Sequence, residues 1–230
     1  MRLAIIICCR NASASIEAAV ARLQPLRRRG ARVIVVDGGS TDDTVRRAAA
    51  TADIVIGAPR SRALQMNAGA RSAPAQEADV LLFLEPEAIL PPDADRAIFR
   101  GLSNSACRWG RFDLGLAGRS AALPRFARWL NGITRLTGLC SRAQALFVER
   151  GTFLALDGFG ACGPLEVFDF CRRAGAICPP LVIASRVVVP GAALERAGLW
   201  RVALQTSWLR LGFLAGAPPD SLARRYPDAI

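Results

Sequence analysis

The stretch from Val33 to Thr44 constrains the fold of this chain more than any other. Four apolar β-branched residues lead into Asp37, two glycines follow, and Ser40 and Thr41 precede a helical pattern. A continuous apolar run is typical of a buried parallel strand, and a carboxylate at its C-terminal end lies where open α/β sheets bind ligands. The glycines permit a tight turn, and a hydroxyl can cap the following helix. The stretch therefore predicts a strand–turn–helix unit with a ligand site at its turn.

A second unit of the same kind precedes it, because residues 3–9 are apolar, residues 10–13 form a polar turn and a helical pattern follows. Two such units near the N-terminus predict an α/β fold with a mostly parallel central sheet flanked by helices. The predicted strands are 3–9, 32–37, 53–56, 79–85, 109–116, 144–149 and 181–189. The predicted helices are 14–29, 42–50, 61–72, 91–101, 123–136, 165–174 and 196–214.

The 230 residues suffice for one large domain with a full core. We divide this domain into a nucleotide-binding half (1–105), an acceptor-side half (106–195) and a C-terminal amphipathic helix with its tail (196–230). The N-terminal apolar run is too short for a signal peptide, and no apolar run reaches membrane-spanning length. These features predict a cytoplasmic protein.

Composition excludes several classes of function. The formal net charge is +11, yet the arginines are scattered, apart from Arg27–Arg29, and the chain has no lysine. A nucleic-acid interface needs a basic stripe and a recognisable module, so no nucleic-acid partner is predicted. The charge better suits a phosphorylated substrate or anionic lipid. The absence of histidine excludes imidazole chemistry, and seven cysteines without a C-x-x-C pair indicate neither a disulfide framework nor a zinc site.

The last predicted helix has apolar residues on or near one face. They are Trp200, Leu204, Trp208, Leu211 and Leu214. Such a face usually packs against a core. Alternatively, the tryptophans could lie at the inner surface of a membrane together with Arg196, Arg201 and Arg210, as a lipid-linked acceptor would require. The sequence leaves both hypotheses open.

A polar cluster opens the helix predicted at 61–72, and it consists of Arg60, Arg62, Gln65 and Asn67. Arginines before a helix N-terminus make a good anion site, because guanidinium groups and free backbone N–H groups converge there on one phosphate. A solvated surface loop is the alternative.

Two carboxylates, Glu85 and Glu87, directly follow the strand predicted at 79–85. Paired carboxylates at the end of a strand suit a hard divalent cation such as Mg²⁺, which also holds substrate phosphates. Solvated charge is the alternative for this pair.

Five segments then follow one another along the chain: Asp37–Thr44, Pro59–Gly69, Leu81–Leu84 with Pro91 and Pro92, Trp109–Asp113, and Leu222–Tyr226. In this order they resemble a bacterial subgroup of glycosyltransferase family 2, whose members are associated with radical-SAM and selenoprotein-related gene clusters. The resemblance covers nearly the whole chain. It implies the GT-A fold, a nucleotide-diphospho-sugar donor, a divalent cation (Mg²⁺ or Mn²⁺) and inversion at the anomeric carbon.

The resemblance also implies roles for individual residues. Asp37 would contact the base or ribose, and the residues that would bind the nucleotide-sugar with it are Asn11, Gly38, Arg60, Arg62, Gln65 and Asn67. Glu85 and Glu87 would hold the metal. The acceptor-side residues would be Trp109, Arg111, Asp113 and Gln144. For the segment Trp109–Asp113, burial in the core with an ion pair is the alternative. The loop at 160–163 is expected on the acceptor side.

The chain departs from the family pattern at its acidic positions. The usual Pro-x-x-Asn-Glu loop keeps Asn11 and loses its carboxylate, the usual His-Ala-Asp is Glu85–Glu87, and the usual Gly-Asp-Gln is Arg142–Gln144. The usual Glu-Asp pair, whose Asp looks like the general base, aligns with Glu166 and Val167. Glu166 or Asp169 is therefore predicted to replace the base.

Three hypotheses for function follow. The first is an active, metal-assisted glycosyltransferase, and the second is a non-catalytic relative that binds a nucleotide or a protein partner. A nicotinamide-dependent oxidoreductase is the third. It conflicts with the sequence, because Gly38-Gly39 is not G-x-G-x-x-G and the first strand–helix turn has no glycine.

Overall fold

The structure is a computed structural model that describes residues 1–160, 163–218 and 221–222. Within these residues the strands are β1 (Leu3–Cys9), β2 (Arg32–Asp37), β3 (Ile54–Gly57), β4 (Val80–Leu84), β5 (Trp109–Ala117), β6 (Phe147–Glu149) and β7 (Leu181–Pro190). The helices are α1 (Ile16–Arg22), α2 (Gln24–Arg27), α3 (Thr44–Ala49), α4 (Arg62–Arg71), α5 (Ala73–Gln76), α6 (Ala94–Ser103), α7 (Leu123–Thr137), α8 (Arg150–Ala155), α9 (Glu166–Gly175), α10 (Ala192–Ala197) and α11 (Leu199–Leu214). The predicted loop at 160–163 and the segment Leu222–Tyr226 lie partly outside the described residues.

All of these strands belong to one sheet with the order β3-β2-β1-β4-β6-β5-β7. β6 pairs antiparallel with both β4 and β5, and the other pairings are parallel. The predicted mostly parallel α/β sheet is thus confirmed. Cys9 on β1 lies opposite Asp37 on β2, and Ile7 on β1 lies opposite Leu84 on β4. The carboxyl ends of these strands therefore meet at one edge of the sheet, where such folds bind ligands.

Alternate residues of the buried strands face two apolar layers. On β1, Ile6 and Cys8 pack on the side of α4, whereas Ile5 and Ile7 pack on the side of α1. α4 lies very close to the sheet, since a Cβ at Gly69 would come within 2.5 Å of the Ile6 side chain. Glycine at this position brings the start of α4, with its arginines, to the ligand-binding edge.

Some helix boundaries differ from the prediction. The helix predicted at 14–29 is divided into α1 and α2, because Pro25 has no N–H group and lies at the start of α2. The helix predicted at 196–214 begins at Leu199, since Gly198 adopts a φ of 85° and separates it from α10. α5, α8 and α10 were not predicted.

α11 carries two apolar stripes, and the structure buries the one that the sequence analysis did not select. The residues of α11 buried against the rest of the protein are Thr206, Leu209, Arg210 and Phe213. The large apolar residues exposed on it are Trp200, Leu204, Trp208, Leu211 and Leu214. The expectation that this second group covers the core is therefore wrong. Among the described residues, no helix has both the length and the apolar character needed to cross a membrane.

Candidate active site

The loops that follow β1 and β2 are joined by Asn11. Its side-chain Oδ1 accepts a hydrogen bond from the backbone N–H of Thr41 (2.9 Å), and its own N–H donates to the hydroxyl of Ser40 (2.8 Å). Asn11 has a φ of 50°, a left-handed conformation that asparagine tolerates better than most residues. The two loops thus form one connected rim at the carboxyl edge of the sheet.

Asp37 organises the turn behind this rim. Its Oδ2 accepts hydrogen bonds from the N–H groups of Gly39 and Ser40 (both 3.0 Å), and its Oδ1 accepts one from the Ser40 hydroxyl. The next residue, Gly38, packs directly on Gln65, because a Cβ at Gly38 would lie 2.3 Å from Gln65 Nε2. That amide donates to the Pro59 carbonyl (3.1 Å). The turn after β2 and the approach to α4 are consequently held together.

The two predicted phosphate-binding arginines differ in their surroundings. Arg60 is exposed beside Gly39. Arg62 is partly buried: its Nη1 donates to the Cys8 carbonyl (2.7 Å) and its Nη2 lies 3.2 Å from Glu85 Oε2. Burial raises the pKa of the Cys8 thiol to about 12, so this thiol is neutral and is no nucleophile. Arg60 is the more accessible of the two cations for a diphosphate.

Asn67, the last residue of the predicted donor cluster, is occupied by the fold. Its Nδ2 donates to the Phe159 carbonyl (2.8 Å), and its Oδ1 accepts from the Phe159 N–H (2.9 Å). Asn67 is buried, and both of its polar groups are satisfied by one residue. It therefore positions the segment around Phe159 against α4 instead of presenting its amide to a donor.

Side chains of alternating charge form a row across the site from Arg62 to Glu166. Glu85 lies between two guanidinium groups, with its Oε2 3.2 Å from Arg62 and its Oε1 3.3 Å from Arg142. Arg142 also lies 3.2 Å from Oε1 of Glu166, whose side chain is fully buried. The four charges sum to zero, which limits the cost of placing them in a partly desolvated position. This row of charged side chains connects α4, the end of β4, the segment before β6 and the start of α9.

The predicted metal site does not fit these contacts. Each oxygen of Glu85 already contacts a guanidinium group, so a cation bound to Glu85 would lie close to two positive charges. Glu87 is exposed, and among the described residues no three His, Cys, Asp or Glu side chains are grouped so that they could hold a metal ion. At this edge of the sheet, the positive charges next to Glu85 are those of Arg62 and Arg142.

Glu166 and Asp169, the two predicted bases, lie in different surroundings. Glu166 faces Arg142 at the site. Asp169 is held by Arg172 (3.0 Å) and Arg173 (2.7 Å). Two cavities lie beside Glu85 and Arg142, and Asp169 is not among the described residues that line either of them. Val167 lines both cavities, together with Glu85 and Arg142. An apolar side chain thus occupies the position that carries the base in the family that this chain resembles.

The four predicted acceptor-side residues lie inside the protein. Trp109 is fully buried, and its indole N–H donates to the Cys178 carbonyl (2.9 Å). Arg111 is also fully buried and lies 3.4 Å from Asp113, which in turn accepts from Arg135 (2.6 Å). Gln144 is buried, and its Nε2 donates to two side chains of α7 (both 3.2 Å). The segment Trp109–Asp113 thus corresponds to the alternative of a core position with an ion pair. None of the four residues is among the described residues that line the cavities.

A different set of residues forms the larger of the two cavities, which has a volume of about 230 Å³ and lies next to the row of charged side chains. Its walls come from β5, β7 and helices α7, α9, α10 and α11, and they are mostly apolar; Leu114, Phe126 and Val202 are examples. Glu85 and Arg142 stand at its polar end, and Arg210 of α11 also lines it. Sequence reasoning missed this cavity, because its walls come from elements far apart in the chain. The one available signal was the replacement of the usual Gly-Asp-Gln by Arg142–Gln144, in which the acid is lost.

Comparisons with known proteins identify the fold. Residues 4–104 match the family model described as glycosyl transferase family 2. No curated protein matches the chain in sequence. The structure is similar to that of S. aureus TarS 1–349, with a TM-score of 0.65 and 16% identity over 83% of this chain and 61% of that one. The present chain thus spans less than two thirds of that TarS structure.

Two further solved structures align with a larger share of this chain, and this chain with a larger share of theirs. Glucosyl-3-phosphoglycerate synthase from Mycobacterium tuberculosis, in complex with Mn²⁺, UDP and glucosyl-3-phosphoglycerate, has a TM-score of 0.60 and 20% identity over 91% of this chain and 80% of that one. The mannosyltransferase PcManGT from Pyrobaculum calidifontis, in complex with GDP-Man and Mn²⁺, has a TM-score of 0.62 and 20% identity over 97% and 69%. The chain therefore has the GT-A fold of glycosyltransferases, and its N-terminal part matches family 2.

Proposed function

We propose that this protein is a family 2 glycosyltransferase that transfers a sugar from a nucleotide-diphospho-sugar to an acceptor in the cavity beside β5. The observation that carries the proposal is the rim at the carboxyl ends of β1, β2 and β4, which lies within the segment that matches the family model. Similar folds are seen in complex with UDP-GlcNAc, UDP and GDP-Man. The donor proposed here belongs to the same chemical class.

The rim supplies groups suited to each part of such a donor. The turn at Asp37 and the loop of Asn11 would face the nucleoside, and the exposed guanidinium of Arg60 would bind the diphosphate. Guanidinium groups bind phosphate oxygens with two parallel hydrogen bonds, which both positions and neutralises the group. The leaving nucleoside diphosphate gains negative charge as the sugar is transferred, and Arg62 and Arg142 lie nearby to stabilise it.

These arginines change the expected role of a metal. The resemblance implies a divalent cation, and two of the similar structures contain Mn²⁺. In this chain the ligand positions are occupied by the Arg62–Glu85–Arg142 contacts, so we expect nucleotide binding that does not depend on a metal. Inversion at the anomeric carbon remains part of the proposal, from the family resemblance alone.

We also propose that α11 contacts the inner face of a membrane at its periphery. Its outer stripe exposes Trp200 (76%) and Trp208 (62%), and the exposed Arg196 and Arg201 lie on or beside it. Tryptophan next to cationic side chains suits the interface of an anionic bilayer. Arg210 does not belong to this surface, because it is buried on the opposite side of the helix.

Calorimetric titration of the purified protein with UDP, GDP and dTDP, each with Mn²⁺ and with EDTA, tests the proposed donor site. We expect one nucleotide to bind with equal affinity in both solutions. The Arg60→Gln variant should bind it about tenfold more weakly, because a charge-assisted contact to phosphate is lost. Arg22→Gln, an exposed arginine on α1, is the matched control and should bind as the unchanged protein does.

A folded protein that binds none of these nucleotides would contradict the proposed transferase. It would instead favour the second hypothesis, a non-catalytic relative, for which the apolar Val167 at the base position is the specific observation. Binding that requires Mn²⁺ would contradict the metal-independent arrangement and leave the donor site itself in place.

A further inference from the structure

Arg210 is a buried cation that lacks a carboxylate partner among the described residues. Its side chain is 2% exposed, its Nε has no hydrogen-bond partner, and its Nη1 reaches only the Thr206 carbonyl of its own helix, at 3.5 Å. Other titratable groups that act on it are the thiols of Cys140 and Cys171 and the buried guanidinium of Arg111. A buried charge without a partner is costly, so its retention calls for an explanation.

The cost is not relieved by loss of the proton. Burial lowers the pKa of Arg210 to about 10, which still leaves the guanidinium charged at neutral pH. Its carbon Cζ lies 5.0 Å from the centroid of the Phe168 ring, a cation–π contact that offsets only part of the penalty. A cation in such a poorly solvated place attracts an anion more strongly than an exposed one does.

This guanidinium lines the same cavity as Arg142 and Val167, and the rest of the wall is mostly apolar. A dry apolar cavity of roughly 150 Å³ holds a benzene molecule. By proportion, the cavity of about 230 Å³ has room for about nine carbon atoms. The site therefore combines an apolar compartment with one uncompensated positive charge.

We propose that this cavity binds the acceptor, and that the acceptor is an anion with an apolar body whose charged group is held by Arg210. The anionic group is a phosphate monoester or a carboxylate; both are ionised at neutral pH and both pair with a guanidinium. The assignment as acceptor site rests on the proposed glycosyltransferase function, whereas binding of the anion does not.

An ionised acceptor explains how Val167 can occupy the position of the base. An alcohol must lose a proton as it attacks, but a phosphate or carboxylate oxygen is already deprotonated. This oxygen forms a bond to the anomeric carbon while the bond from that carbon to the β-phosphate oxygen breaks. The electron pair of the broken bond leaves with the nucleoside diphosphate, and no proton is transferred.

The binding test uses the full chain without any sugar donor, and calorimetry with four probes: octyl phosphate, octanoate, octan-1-ol and inorganic phosphate. We expect octyl phosphate or octanoate to bind at least about tenfold more tightly than octan-1-ol and inorganic phosphate, because only the first two supply both the chain and the charge. The tighter of the two anions identifies the acceptor as a phosphate or a carboxylate.

Two variants of α11 locate the binding. Arg210→Gln should weaken binding of the preferred anion by about tenfold or more. Arg22→Gln, the exposed arginine of α1, is the control and should leave it unchanged. Arg210→Met, which removes the charge and keeps an unbranched chain, provides a second substitution at the same position. Equal binding of octan-1-ol and the anions, or unchanged anion binding by both Arg210 variants, would overturn the proposal.

Nucleotide titrations of the same preparations separate this inference from the proposed function. Anion binding that depends on Arg210, in a protein that binds no nucleotide, would support the anion site and contradict the transferase. Nucleotide binding without anion binding would do the reverse. Once the donor is identified, transfer of sugar to the preferred anion but not to octan-1-ol supports the acceptor assignment. Transfer to octan-1-ol, or to neither probe, overturns it.

Discussion

Replacing Arg210 by methionine should stabilise this protein, although it removes a large buried side chain. The folded state lowers the pKa of Arg210 from its ordinary value to about 10, chiefly through burial. Each pKa unit corresponds to about 1.4 kcal/mol, so the folded state carries this charge at a cost of about 3 kcal/mol. Methionine is unbranched and flexible enough to fill an irregular space, so it should pack on Phe168 without the charge.

The loss of the cation–π contact opposes this gain by about 1–2 kcal/mol. We therefore expect Arg210→Met to raise the free energy of unfolding by about 1–2 kcal/mol. At neutral pH the guanidinium is protonated in both the folded and the unfolded state, so the full penalty is present there. The penalty falls only as the pH rises above the lowered pKa of about 10 toward the ordinary pKa of arginine. The difference between variant and unchanged protein should thus be constant around neutral pH.

Urea denaturation followed by tryptophan fluorescence measures the effect as a shift in midpoint at constant slope. Arg201→Met is the control and should change the free energy of unfolding by less than about 0.5 kcal/mol, because Arg201 is exposed. A loss of stability greater than about 1 kcal/mol in Arg210→Met would refute the reasoning, since it would mean that the folded protein supplies this guanidinium with a partner.

Other substitutions test the remaining parts of the site. Arg142→Met should reduce the free energy of unfolding by about 3–5 kcal/mol, because it leaves the fully buried Glu166 without its cation; urea denaturation measures the loss. Gly38→Ala should weaken nucleotide binding in calorimetry, because its Cβ would lie 2.3 Å from Gln65 Nε2 and would displace that amide. Trp200→Ala combined with Trp208→Ala should reduce co-sedimentation with anionic vesicles at low salt by about tenfold or more, since two exposed aromatic anchors are lost.

Matched variants at other positions are the controls for these tests. Arg135→Met removes a half-exposed arginine and should cost much less than Arg142→Met. Gly132→Ala places a Cβ in open space on α7 and should bind nucleotide normally. Leu136→Ala removes an 88% exposed leucine outside α11 and should leave vesicle binding unchanged. If a control shows the same loss as its test variant, the corresponding interpretation fails.

The partners of the polar side chains were harder to predict from the sequence than the strands were. Asn11 and Asp37 lie on the rim at the carboxyl ends of β1 and β2, and Arg62 lies beside them. By contrast, Asn67 binds a backbone segment 92 residues away in sequence, and Glu85 binds two arginines. Spacing in the sequence shows that a polar group is near a strand end, but the partner that satisfies it comes from elsewhere in the chain.

The sequence by itself determined the strands, the helices other than α5, α8 and α10, and the turn at Asp37. These features depend on local patterns: continuous apolar runs for β1, β2 and β4, glycines where the backbone must turn, and helical spacing between them. Each pattern extends over about ten consecutive residues, so it can be recognised without knowledge of any distant contact.

Only the tertiary structure decided which side of α11 faces the interior. The helix has two apolar stripes, and the stripe with two tryptophans is the more hydrophobic in sequence, yet it is exposed while Arg210 is buried. The choice depends on the surface offered by α7, α9 and β5, which come from three separate parts of the chain. Burial is a property of the assembled packing, because a side chain's surroundings depend on residues that its own segment does not contain.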